Sequence, residues 1–61
     1  MVDKKNLILK LLKKNSELST SKIAYLISSN QYKTEEILFE LEKENKIKKR
    51  QAKKGVYWYL K

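Results

Sequence analysis

The sequence predicts a small α+β fold in which three helices are followed by a β-hairpin. Apolar residues recur at helical spacing in three segments, and Ser- and Asn-rich breaks separate these segments. The last sixteen residues change character, because two strand-like runs flank the only glycine of the chain, Gly55. A chain of 61 residues has room for one small core. We therefore expect one domain over residues 1–61.

The first helix is predicted over residues 3–14. Asp3 is the expected N-cap, and Asn15 is expected to end the helix in the left-handed conformation. The core-facing residues recur at helical spacing: Leu7, Ile8, Leu11 and Leu12. Leu9 widens the apolar arc to about 200°, which exceeds what a surface helix needs. Either Leu9 faces a second subunit, or it lies at the edge of a small core.

The second and third helices are predicted over residues 20–28 and 32–44. Ser19 is the expected N-cap of the second helix, and Asn45 is expected to close the third in the left-handed conformation. The second helix is expected to bury Ile23, Ala24, Leu26 and Ile27. The third is expected to bury Thr34, Ile37, Leu38 and Leu41.

The hairpin is predicted over residues 46–60, with strands at 47–52 and 56–60. Its turn, residues 52–55, carries two lysines and ends at Gly55, which adopts positive φ without steric cost. Because side chains alternate along a strand, Val56, Trp58 and Leu60 share one face, and Tyr57 and Tyr59 share the other. A short strand near Leu18 is expected to pair with the hairpin.

Several aromatic residues of the hairpin have two interpretations. Trp58 is either a core anchor or a ligand contact, and we favour the core because Val56 and Leu60 share its face. Tyr57 and Tyr59 belong either to a half-buried sheet face or to an exposed stacking or dimer surface.

Composition argues against catalysis. Cysteine and histidine are absent, which excludes disulfides, thiolate or imidazole metal sites and the usual proton shuttle. We identify no catalytic, cofactor-binding or metal-ligating residue, and we expect a protein that is not an enzyme and has no small-molecule substrate. The longest apolar runs, residues 23–27 and 56–60, are each five residues long, whereas about 20 residues are needed to span a membrane. We therefore expect no membrane partner and a cytoplasmic location.

Positive charge is concentrated at the end of the sequence. The formal net charge is +8, and it divides into +4 for residues 1–30, −3 for residues 31–45 and +7 for residues 46–61. Such an excess favours polyanionic partners through counterion release. Nucleic acid is the first candidate and ranks ahead of an anionic membrane surface. We expect double-stranded DNA as the partner, and the hairpin carries most of the positive charge that would attract it. The alternative is that these lysines only protect an edge strand and keep the protein soluble.

Three segments carry a family resemblance. LSTSKIAYLI (residues 18–27) and ILFELEKENKIKKR (residues 37–50) resemble patterns of winged helix-turn-helix transcription regulators, and GVYWYL resembles their closing wing strand. The resemblance extends distantly to ArsR-type repressors and Z-alpha domains. It implies a winged-helix fold in which the third helix enters the major groove and the hairpin, called the wing, contacts phosphate.

The resemblance also implies the DNA-contacting residues. On the third helix they are Gln31, Tyr32, Lys33 and Lys43, and on the wing they are Lys48, Lys49, Arg50, Lys53 and Lys54. The exposed stripe of the third helix departs from the family pattern, because it combines Tyr32, Glu36, Phe39 and Lys43 with flanking Glu35 and Glu40. Glu35 and Phe39 stand where Z-alpha domains have Asn and Tyr, and Trp58 aligns with their wing Trp. We expect Phe39 and Trp58 to form an aromatic pair.

The sequence supports two functional hypotheses. The first is a homodimeric DNA-binding protein, either a transcriptional regulator or an architectural factor, associated with the nucleoid in a prokaryotic or viral setting. Its expected subunit interface draws on Leu9, Phe39, Tyr57 and Tyr59. The second is a winged helix for protein–protein interaction that uses its acidic, aromatic third helix.

Overall fold

The computed structural model describes residues 3–61, and in these residues three helices pack against a three-stranded antiparallel sheet. The chain runs through α1 (Lys4–Lys14), β1 (Leu18–Ser19), α2 (Thr20–Leu26), α3 (Gln31–Lys43), β2 (Ile47–Ala52) and β3 (Gly55–Leu60). The strand order is β1-β3-β2, so β3 is central. This confirms the α+β class and the third strand near Leu18. Within the described residues, none of the helices has the length and apolar character needed to cross a bilayer.

The two ends of α1 are held in different ways. The Asp3 carboxylate accepts a hydrogen bond from the Lys5 backbone N–H at 3.0 Å, as predicted. The prediction for Asn15 is wrong, because this residue is extended at φ −121° and ψ 136°. Its side-chain amide instead donates to the Leu11 carbonyl at 2.9 Å. The chain must leave α1 extended to reach β1 three residues later, and a left-handed residue would turn it away.

Helix α2 is shorter than predicted. It begins after Ser19, whose hydroxyl accepts from the Lys22 N–H at 3.1 Å, and ends at Leu26 instead of residue 28. Ser28 adopts a left-handed φ of 56°, which stops the helix. Leu26 was expected to be buried, and this is wrong: it is 38% exposed. The short helix presents only the Ile23 side of its surface to the core.

Helix α3 begins one residue earlier than predicted and ends one residue earlier. Asn30 is its N-cap, since the side-chain oxygen accepts from the Lys33 N–H at 2.7 Å. Asn45, beyond its last turn, has a φ of 62°, as predicted. This left-handed residue redirects the chain into β2.

The hairpin closes through a two-residue turn. Ala52 pairs with Gly55, which leaves Lys53 and Lys54 at the tip. Gly55 has a φ of +143°, a conformation that L side chains rarely adopt, and this confirms why glycine stands there. The register pairs Lys49 with Trp58 and therefore sets which basic side chains face the helices.

The core gathers around Trp58, which is 1% exposed. Its indole Nε1–H donates to the Thr20 hydroxyl oxygen at 2.8 Å, so its one polar group is satisfied by the start of α2. The buried apolar residues around it come from every helix and from β2: Ile8, Leu12, Ile23, Ile27, Leu38, Leu41 and Ile47. The interpretation of Trp58 as a core residue is confirmed.

Candidate nucleic-acid interface

A cleft opens between the tip of the wing and the starts of α2 and α3. We call it the wing cleft; its volume is about 430 Å³, and it is lined by Ser19, Thr20, Ser21, Gln31, Glu35, Lys54, Gly55, Val56 and Tyr57. The paired register of β2 and β3 carries Lys54 to the tip, and the short break after α2 sets Gln31 at the start of α3. Three elements distant in sequence thus meet at one opening.

The polar groups of the wing cleft fit a nucleic acid. The Lys54 ammonium, the Gln31 amide and the Ser21 hydroxyl are donors, which suits phosphate oxygens. The Glu35 carboxylate is an acceptor, and it matches the exposed amino group of cytosine. Ser21 was not among the predicted contacts. The sequence could have indicated Ser21, because it lies in the first turn of the helix that follows the Ser19 cap.

Lys49 and Phe39 connect the wing to the middle of α3. The Lys49 ammonium lies 5.4 Å from the centre of the Phe39 ring, and that ring meets Trp58 edge-on with centroids 6.0 Å apart. The expected Phe39–Trp58 pair is therefore confirmed as packing. These residues border a smaller hollow of about 110 Å³ that shares Glu35 with the wing cleft. Lys49 is the basic residue of β2 that faces α3.

Arg50 is engaged in an ion pair on the opposite face of the sheet. Its Nη2 lies 2.6 Å from Glu17 Oε1, its Nε donates to Glu17 Oε2 at 3.2 Å, and its guanidinium carbon lies 5.3 Å from the Tyr57 ring centre. The hydrogen bond to Arg50 lowers the pKa of the Glu17 carboxyl, and the same bond raises the pKa of Arg50. Arg50 thereby fastens the segment before β1 to the wing.

The remaining predicted contacts are spread over the surface. Tyr32 and Lys33 lie exposed at the start of α3, and Lys53 lies exposed beside Lys54 at the tip. Lys43 is twelve residues along α3 from Gln31, about 18 Å away at about 1.5 Å per residue. Lys48 pairs with Tyr59 and so shares the outer face of the sheet with Arg50. The structure thus brings Gln31 and Lys54 together and separates Lys43 and Lys48 from them.

The expected interface residues stand on three different elements. Leu9 is half-buried on α1, Tyr57 and Tyr59 are half-buried on the outer face of β3, and Phe39 on α3 is 48% exposed. Phe39 packs on the Trp58 side of the sheet, opposite the face that carries Tyr57 and Tyr59. Within residues 3–61, no three His, Cys, Asp or Glu side chains come close enough together to hold a metal ion.

Stability is expected to fall in acid, beginning below about pH 5. The pKa of Glu17 is lowered by its hydrogen bond to Arg50, and the pKa of Glu44 is lowered first by its hydrogen bond to Lys5, at 2.9 Å. A lowered folded-state pKa stabilises the fold above the unfolded value of about 4.3, and this contribution disappears as pH falls through the folded pKa.

Urea unfolding at pH 7, 5, 4 and 3 measures this effect. In the double variant Glu17→Gln with Glu44→Gln, the free energy of unfolding should fall less between pH 5 and pH 3 than it does in the wild type. The matched control is Glu36→Gln with Glu42→Gln, because neither carboxylate forms an ion pair among residues 3–61. If the free energy of unfolding depends on pH equally in the two double variants, the loss of stability in acid does not come from Glu17 and Glu44.

The fold resembles solved structures that include a repressor and a transcriptional regulator. The adhesin competence repressor AdcR from Streptococcus pyogenes is 17% identical over 100% of this chain, with a TM-score of 0.88. A variant of ZitR from Lactococcus lactis is 24% identical over 95% of this chain, with a TM-score of 0.84. The transcriptional regulator PA4135 is 17% identical over 100% of this chain, with a TM-score of 0.86. The chain covers 47%, 41% and 47% of these three proteins, respectively.

These likenesses establish the winged-helix fold. No curated protein sequence matches the chain. The family described as "FaeA-like protein" matches residues 4–61, which is nearly the whole sequence. The chain, whose described residues form three helices, a three-stranded sheet and a basic wing, therefore belongs to the FaeA-like protein family.

Proposed function

We propose that this chain is a small DNA-binding protein, acting as a transcriptional regulator or an architectural factor. The observation that carries the proposal is the wing cleft, where Lys54 of the wing and Gln31 of α3 border one opening. The wing lies within a terminal segment of net charge +7, which attracts a polyanion. The solved structures of similar fold include a repressor and a transcriptional regulator, which supports the same assignment.

In this proposal, the residues around the cleft contact different parts of the DNA. Lys53 and Lys54 neutralise phosphates, while Gln31 and Tyr32 at the start of α3 approach base edges. Glu35 accepts from a cytosine amino group and repels any phosphate that enters too deeply. Lys49 stays over Phe39 and adds positive charge beside α3. The acidic stripe farther along α3 restricts contact to the first turns of the helix.

The test is fluorescence anisotropy of labelled duplexes titrated with protein at several salt concentrations. If four or five basic side chains release counterions, log K should fall against log salt with a slope of roughly −4. A slope near zero would overturn the proposal. Among duplexes of varied sequence, a preferred site indicates a regulator, and equal affinity for all indicates an architectural factor.

The predicted homodimer belongs to this proposal as a separate part. One 61-residue module offers few phosphate contacts, so two copies on two half-sites would raise affinity and specificity. Sedimentation equilibrium with and without duplex measures the number of copies. A complex that holds one copy per duplex at saturation would contradict the dimer and leave DNA binding intact.

The second candidate is a protein partner for α3. Tyr32 is 76% exposed and Phe39 is 48% exposed, and both lie in the segment of net charge −3. Exposed aromatic side chains are common anchors of protein interfaces. Loss of partner binding in Phe39→Ala, with binding kept in a wing variant, would favour this candidate over DNA.

A further inference from the structure

A second groove lies on the side of the molecule away from the wing cleft. It runs between α1 and the end of β3, has a volume of about 490 Å³, and is lined by Asn6, Leu9, Lys10, Lys13, Lys46 and Leu60. We call it the α1 groove. Within residues 3–61, the α1 groove and the wing cleft have no lining residue in common. Leu60 and Gly55 are at opposite ends of β3, five residues or about 16 Å apart along the strand.

The floor of the α1 groove is apolar. Leu9 and Leu60 are half-buried and pack with their inner sides on the core, while their outer sides line the groove. This explains the unusually wide apolar arc of α1, because Leu9 supports the core and also presents a surface. A floor made of leucine side chains offers nothing to a phosphate backbone and suits an apolar side chain.

The rim of the α1 groove is positive. Lys10 and Lys13 stand on one side, and neither forms an ion pair among residues 3–61. Lys46 stands on the other side, and its ammonium lies 3.3 Å from Glu44 Oε1. Glu44 also receives a hydrogen bond from Lys5, so its charge is already compensated. Among the described residues, none of those that line the groove carries a side-chain carboxylate.

This charge pattern distinguishes between occupants. A symmetric contact with a second copy would set Lys10 and Lys13 against their own equivalents, in a protein of net charge +8, and like charges oppose that arrangement. An amphipathic helix with leucine-like anchors and flanking carboxylates matches both the floor and the rim. The lysines would then pair with acidic side chains instead of repelling each other.

We propose that the α1 groove docks an acidic amphipathic helix of a partner protein. The partner's apolar side chains, spaced three or four residues apart, rest on Leu9 and Leu60, and its Glu or Asp side chains meet Lys10, Lys13 and Lys46. Because the wing cleft lies elsewhere, the docked helix and a duplex are accommodated together. The proposal does not depend on DNA binding, since it is argued from the opposite side of the molecule.

The test uses two synthetic helical peptides of equal length and equal apolar pattern. One carries Glu beside the leucine anchors, and the other carries Gln at the same positions. Each is labelled and titrated with the full chain, and binding is followed by fluorescence anisotropy at low and moderate salt. We expect saturable binding of the Glu peptide and at least about tenfold weaker binding of the Gln peptide.

Two protein variants with the same change in net charge locate the site. The double variant Lys10→Glu with Lys13→Glu should bind the Glu peptide at least about tenfold more weakly than the wild type. The double variant Lys53→Glu with Lys54→Glu should change the affinity for this peptide by less than about threefold. Both pairs are exposed, so both variants are expected to fold, which far-UV circular dichroism verifies. Leu9→Ala, with folding verified in the same way, should weaken the binding of both peptides, because it removes one of the two leucines that form the floor of the groove.

Four outcomes would overturn the proposal. They are equal binding of the two peptides, equal loss in the two charge variants, self-association of the protein that Lys10→Glu with Lys13→Glu alters, and binding of anionic phosphatidylglycerol vesicles through the same lysines without peptide binding. The third would assign the groove to a second copy, and the fourth would assign it to a membrane surface. The duplex titration is independent of all four, so either proposal can fail alone.

Discussion

Reversing the two lysines at the wing tip, Lys53→Glu with Lys54→Glu, is expected to weaken duplex binding by at least about 100-fold at 0.1 M salt. Each phosphate contact contributes about 0.9 to the salt slope, which amounts to nearly tenfold in affinity per lysine at that salt concentration. The reversal also adds two carboxylates that repel the backbone. The slope of log K against log salt should become shallower by about 2. Fluorescence anisotropy across salt concentrations measures both quantities.

The matched control changes the same net charge on the other side of the molecule. Lys10→Glu with Lys13→Glu alters the rim of the α1 groove and should weaken duplex binding only modestly, through the loss of overall attraction. If the two double variants lose equal affinity, DNA is attracted by net charge alone, and the wing has no special role. If neither loses affinity, the wing assignment is wrong.

Truncating the core aromatic, Trp58→Ala, is expected to remove most or all of the stability. Trp58 is 1% exposed, so its replacement opens a large cavity beneath α3 and breaks the indole bond to Thr20. Losses of about 3–5 kcal/mol are typical for such truncations. The total free energy of unfolding of a 61-residue domain is about 3–9 kcal/mol. Urea unfolding followed by far-UV circular dichroism measures the loss.

Two controls separate burial from the presence of an aromatic ring. Tyr32→Ala removes a ring that is 76% exposed and should change the free energy of unfolding by no more than about 0.5 kcal/mol. Trp58→Phe keeps most of the apolar volume but loses the Nε1–H donor. Its free energy of unfolding should therefore lie between those of the wild type and the alanine variant. A wild-type urea midpoint in Trp58→Ala would contradict the role of Trp58 as the centre of the core.

The elements with local signals were predictable from the sequence. Ser19 and Asp3 act as N-caps because a short polar side chain before an apolar helical pattern can satisfy the first free amides. Gly55 sits at positive φ because a tight turn requires such a residue there. The burial of Trp58 followed from strand alternation, which is also a local rule.

The errors occurred where the course of the backbone overrides the preference of a single residue. Asn15 is a common left-handed terminator, yet the path to β1 holds it extended. Leu26 fits the helical pattern of α2, but the left-handed Ser28 ends the helix and leaves Leu26 partly in solvent. The path to β1 is not visible in the residues around Asn15, and the left-handed φ of Ser28 is one that an L residue other than glycine, asparagine or aspartate rarely adopts.

The candidate site divides in the same way. The sequence identified a basic wing and a third helix with polar residues at its start, and both lie at the wing cleft. It treated Lys48, Lys49 and Arg50 as equivalent. Strand pairing places Lys49 over Phe39 and leaves Arg50 on the other face with Glu17, a partner thirty-three residues away.

By itself, the sequence determined the order and kind of the elements, the core anchor and the concentration of positive charge, because caps, side-chain periodicity, turn chemistry and charge are properties of residues and their near neighbours. The tertiary structure decided which side chains lie next to one another. Register and packing brought Gln31 to Lys54, tied Arg50 to Glu17 and set Lys10, Lys13 and Lys46 around Leu9 and Leu60. These are contacts between residues far apart in the chain, and only the assembled fold fixes their distances.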